Sequence, residues 1–117
     1  MTDAEYEAKK ACVEKYIDKW AKTIGLGWWR IQYDYFREKL EDDPHTVMVT
    51  HTRWEYRWAQ IKVYVPALLS DDDERIEHYL VHEYAHILLG PEQNNVDREK
   101  HGQQAEAATE NVAQALV

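Results

Sequence analysis

The chain of 117 residues contains a single cysteine, Cys12, so no internal disulfide can form. Its place in an amphipathic stretch makes it a packed thiol, and the redox compartment stays open with a lean to the cytosol. Basic residues are scarce as well: 14 Lys and Arg stand against 22 Asp and Glu, for a net charge of −8 and a pI near 5.2. Nucleic-acid binding draws its affinity from clustered Lys and Arg, so nucleic acid is excluded as an expected partner. No run approaches the ~20 apolar residues of a membrane span, and residues 1–10 lack the apolar core of a secretory signal. The expectation is a monomer of the cytoplasm with no membrane partner, although secretion of a trimmed form is compatible with the same residues. Repeats, low-complexity tracts and linkers are missing too, and 117 residues leave room for one domain spanning 1–117.

Aromatics supply what the small size withholds, with five Trp and eight Tyr. Tyr6, Cys12, Val13, Tyr16, Ile17, Trp20 and Ile24 recur at three- and four-residue steps, which predicts a helix over 3–24. Thr2 or Asp3 can cap it, and Gly25 or Gly27 can end it. Residues 28–36 alternate as a strand, with Trp29, Ile31, Tyr33 and Tyr35 on one face. Residues 37–45 read as a connection with a helical turn. From 46 to 65 the β-branched and aromatic composition predicts a hairpin, with arms 46–54 and 57–65 and Val47 and Val49 matched by Ile61, Val63 and Val65. Pro66 closes it. A second helix opens at Ser70, with Asp71, Asp72, Asp73 and Glu74 at the positive end of its dipole, and Gly90-Pro91 stops it. After a polar connection over 91–101, Ala105, Ala108, Val112 and Leu116 line one side of a last helix. The whole is an α+β order: helix, small three-stranded sheet, helix, helix.

The second helix carries V-H-E-Y-A-H-I-L-L at 81–89. Residues four apart stand one turn apart on one helical face, so the imidazoles of His82 and His86 can bind one ion while Glu83 reaches a water on it. A catalytic zinc takes three protein ligands and keeps one position open, so a third ligand should come from elsewhere in the chain. Residues 106–110, E-A-A-T-E, offer two carboxylates on one face, Glu106 and Glu110.

H-E-x-x-H, nineteen residues, then E-x-x-[ST]-[DE] resembles the gluzincin metallopeptidases, the thermolysin-like class, and the short chain resembles their single-domain form, the minigluzincins. The resemblance is specific over about 78–113 and rests on element order upstream. It implies a zincin-like domain in which Glu106 is the third zinc ligand and Glu110 accepts a hydrogen bond from His82, an outer partner of the kind that orients a metal-bound imidazole. It implies an endopeptidase, cutting peptide or protein substrates with Glu83 as general base towards the zinc-activated water and then as acid towards the leaving amine. In zincins the substrate adds as a strand to the sheet edge, and the first hairpin arm resembles that edge, with Thr50, Thr52 and Trp54 alternating towards one side. Trp54 and Trp58 as plain core is the competing reading.

Departures from the pattern set the alternatives. A gluzincin takes its oxyanion donor from further along the chain, and only seven residues follow Glu110. His101 is the candidate in its place, with Tyr79 and Arg98 behind it. The gap motivates a second reading, a zincin-fold module that holds a metal and a peptide with little turnover or stays latent. His101 is also the rival third ligand, as in SprT-like proteases with three histidines. His78 lies two turns, about 12 Å, from His86 and cannot share its ion. Leu89 stands where a metzincin needs glycine, and Cys12 is wrongly set for a deformylase-like ligand.

Overall fold

The computed structural model describes residues 1–89. The first helix, α1 (Asp3–Trp20), starts on a capping box: the Thr2 hydroxyl accepts from the Glu5 N–H at 3.1 Å, and the Glu5 carboxylate accepts from the Thr2 N–H at 2.9 Å. Its regular part is four residues shorter than the periodicity predicts. The chain beyond it still closes as a helix end, with Gly25 donating to Lys22 and Leu26 to Ala21, both at 3.1 Å, while Gly25 takes φ +87°. That pair of bonds needs a left-handed residue, which is why glycine stands there.

Three strands follow: β1 (Arg30–Phe36), β2 (Met48–Arg53) and β3 (Trp58–Tyr64). They assemble in the order β1-β3-β2, with β1 parallel to β3 and β2 antiparallel to it. The connection over 37–47 holds no helical turn. It tightens only where the Thr46 N–H donates to the Asp43 carbonyl at 3.1 Å. The hairpin predicted over 46–65 forms, but its register differs from the expected valine match. Met48 faces Val63, Thr50 faces Ile61 and Thr52 faces Ala59, while Val49 faces Lys62. Since side chains alternate along a strand, Met48, Thr50 and Thr52 share the inner face and Val49 does not, while Val47, just before the strand, still packs against the core. A 3-10 turn over Trp54–Tyr56 joins the arms, ending on Arg57 at φ 50° and ψ 45°.

Val65–Leu68 makes a second 3-10 turn, with Pro66 in its first positions, and α2 (Asp73–Leu88) follows. Its cap is Asp72, not Ser70: the Asp72 side chain accepts from the Arg75 N–H at 2.9 Å. The preceding turn, with Asp71 N–H on the Leu68 carbonyl at 3.0 Å, uses up the residues that would have let Ser70 serve. Both helices bury onto one face of the sheet. Val13 and Tyr16 of α1 and Ile76, Leu80, Tyr84 and Ile87 of α2 share one core with Ala59, Ile61 and Val63. At the α1–α2 contact, Glu77 accepts from Lys19 Nζ and Trp20 Nε1, each at 2.7 Å. Burial acts to raise the Glu77 carboxyl, and the two hydrogen bonds outweigh it and hold the group below the ordinary range. Cys12 behaves as the packed thiol expected: burial and its bond to Asp73 at 3.4 Å push it up to about 11. Among the described residues no helix is long and apolar enough to cross a membrane.

Two tests follow from this packing. Gly25→Ala should cost about 1 kcal/mol in urea denaturation, because the left-handed backbone is strained for alanine while no atom crowds the added methyl. Burial also raises the phenols of Tyr33 and Tyr35 above their ordinary pKa. A phenol raised in the folded state contributes stability that is intact below the unfolded pKa near 10 and lost as pH rises beyond it. The urea midpoint should therefore show no loss from these groups below pH 9 and fall above pH 10, and Tyr35→Phe should flatten the fall.

Candidate metal centre

The faces of α2 are set by what each buries. At 100° per residue, Ile76, Leu80, Tyr84 and Ile87 form one stripe towards the sheet, while Val81 and Ala85 turn towards Trp20 and Ile24 after α1. Glu83 stands on the remaining flank between the sheet stripe and the histidines. It is only 5% exposed, the single charged residue buried among those described. His82 and His86 lie beyond it, half-buried, with ring centroids 4.9 Å apart and planes at 80°. His86 Nε2 is 4.0 Å from Glu83 Oε2.

These three residues could hold a metal ion. One ligand atom from each lies within 4.8 Å of the others. Ligand bonds of about 2.0–2.1 Å at a tetrahedral angle place two donors roughly 3.3 Å apart, so small side-chain rotations bring the imidazoles to that spacing. The donor set of two imidazoles and a carboxylate suits a borderline divalent ion. His78, half-buried one turn before His82, is not part of the group, as its axial distance requires.

The other predicted site residues divide into those the structure places and those it leaves out. Glu106, Glu110, His101 and Arg98 lie outside the described residues, as does the Gly90-Pro91 stop. Tyr79 is half-buried against the core, and burial raises its phenol with a further push from Asp71. Its hydroxyl thus lies towards the start of α2, away from the histidines. β2 is at the sheet edge, as expected, and it lies beside α2. Tyr64 donates its N–H to the Val47 carbonyl at 2.9 Å. By the two-residue alternation of an antiparallel pair, the backbone groups of Met48, Thr50 and Thr52 point outward from that edge. Their side chains point to the inner face, where the Thr50 hydroxyl is buried with no partner among the described residues. Trp54 is half-buried, edge-on to Trp29 at 4.9 Å, with its Nε1 buried and without a partner among the described residues. Its contact with the core runs through Trp29, which packs against it.

Sequence reasoning missed the anchor of α2 on β1. The Tyr33 and Tyr84 hydroxyls are 2.8 Å apart, tying the residue next to Glu83 to a strand 51 positions earlier. Tyr84 is fully buried, and burial raises its phenol, with the bond to Tyr33 adding to the effect. Tyr33→Phe should lower stability by about 1 kcal/mol in thermal or urea unfolding, because a buried hydroxyl on Tyr84 loses its partner.

No family model, curated protein or solved structure matches the chain.

Proposed function

We propose that the chain is a zinc-dependent endopeptidase of gluzincin type, built on a minimal zincin-like domain. The observation that carries the reading is the association of His82, His86 and the buried Glu83 on one flank of α2. In this reading His82 and His86 hold the ion with Glu106 as third ligand, and Glu110 orients the His82 imidazole. Zinc, when bound, supplies Lewis acidity towards water and towards the substrate carbonyl. Glu83 accepts the proton of the attacking water and returns it to the leaving amine. His101 is assigned the oxyanion, and the outward backbone of Thr50 and Thr52 pairs with an extended peptide.

The test is zinc content together with cleavage of a quenched peptide library. Wild type should carry about one zinc per chain and cleave. Glu83→Gln should keep the zinc and lose turnover by at least a hundredfold, whereas His82→Ala and Glu106→Ala should lose the metal. A zinc-loaded Glu83→Gln protein with undiminished cleavage would remove the mechanism. Stoichiometric zinc with no cleavage by wild type would instead favour the metal-holding, peptide-binding module.

A further inference from the structure

The sheet face opposite the helices carries a feature unrelated to α2. Arg30 of β1 pairs with Trp58 of β3, and Trp58 pairs with Arg53 of β2, so two arginines flank one indole in a row across all three strands. Arg30 alternates with Ile31, Trp58 with Ala59 and Arg53 with Thr52, which places the row on the outer face. With neighbouring strands about 4.8 Å apart, the two arginine backbones stand about 10 Å from each other, a span that their side chains can close over the ring between them. Together with Tyr56 they line an open concavity of about 500 Å³. Tyr56 is 75% exposed and Trp28, just before β1, is 82% exposed.

Neither arginine forms an ion pair or hydrogen bond through its side chain among the described residues, although acids outnumber bases in the chain by 22 to 14. Arg57, in the turn beside them, is likewise without a side-chain ion pair among the described residues, whereas Arg37 holds Asp3 at 2.7 Å and Arg75 lies 3.9 Å from Asp71. Two forked cations beside exposed rings have the composition that dominates protein-binding energy at interfaces, where arginine, tryptophan and tyrosine are enriched. We propose that this concavity is a docking site for an acidic peptide segment of a partner protein, with a carboxylate seated between Arg30 and Arg53 and a neighbouring apolar side chain on Trp58 and Tyr56. Charge complementarity selects the carboxylate, which guanidinium groups bind in bidentate fashion. Two cations within a chain of net charge −8 are too few to hold an extended polyphosphate backbone, so the peptide is favoured over nucleic acid. The site stands on the far side of the sheet from His82, Glu83 and His86 and does not depend on their chemistry.

Fluorescence anisotropy with the full chain tests this, using a labelled octapeptide of alternating Glu and Tyr and its Gln-Tyr counterpart. The Glu peptide should bind saturably, at least tenfold more tightly than the Gln peptide, and lose affinity as salt is raised. Arg30→Ala and Arg53→Ala should each weaken it about tenfold while the unfolding temperature stays within a few degrees of wild type. Binding should persist in a chelator, which removes the ion that a peptide held as substrate would need. Equal binding of the two peptides, indifference to both substitutions, or displacement by ATP at lower concentration than by unlabelled Glu peptide would overturn the proposal. The comparison of the two peptides on wild type stands even if a variant fails to fold.

Discussion

Burial of α2 on two sides at once constrains everything else in the described chain. A sixteen-residue helix with one apolar stripe could roll on a sheet. Here the stripe of Ile76, Leu80, Tyr84 and Ile87 is locked to the strands while Val81 and Ala85 are locked by Trp20 and Ile24. Side chains of this size bury roughly 1.5–3 kcal/mol each, so rotation of the helix by even one residue position would forfeit several kcal/mol. The orientation of His82 and His86 is therefore set by the burial of the helix positions around them. Glu83 follows from the same geometry, because the flank between a sheet-facing stripe and a half-exposed pair is necessarily poor in solvent.

The helices were legible because their signals are local. A three-to-four-residue apolar step, a Thr-x-x-Glu box and a His-x-x-x-His spacing lie within a few turns of chain. The hairpin was legible from its β-branched composition, but its register was not. Val49 looks like an inward residue, yet Met48, Thr50 and Thr52 face the core, and threonine hides its methyl behind a hydroxyl in any apolar pattern. The start of α2 shifted for a related reason, since Ser70 and Asp72 are equally good caps and only the preceding 3-10 turn chooses between them. The parallel pairing of β1 with β3 depends on contacts 28 positions apart, from Arg30 to Trp58, and nothing local announces it. The row of Arg30, Trp58 and Arg53 stayed hidden for that reason. Of the candidate metal centre, the part carried by α2 was readable from its spacing, and Glu106 and Glu110 lie outside the described residues.

The two faces of the sheet have separate chemistry because the chain spends its apolar residues on one of them. Ala59, Ile61 and Val63 alternate with Trp58, Gln60 and Lys62 along β3, and every residue of the first set is fully buried. A central strand covered on a single side must leave the other side to polar or amphipathic residues. Gln60 and Gln32 meet there over Asp34, a neutral polar patch that satisfies one carboxylate. The arginines lie at the far end of the same face, beyond reach of that acid in the strand register, so the positive end of the face is left for something outside the described residues.

The edge strand shows a cost that packing alone does not repay. A hydroxyl buried without a partner costs about 1–3 kcal/mol, and the Thr50 hydroxyl, on an edge strand beside α2, has none among the described residues. Valine has nearly the same shape and would remove that cost, and the chain uses valine at 47 and 49 on either side of Met48. The same residue points its backbone N–H and carbonyl outward from the sheet. A polar side chain turned inward and an open main chain turned outward meet at one position beside the helix that bears the histidines. In the peptidase reading this is where an extended substrate would be held, which gives the retained hydroxyl a reason that the fold by itself does not.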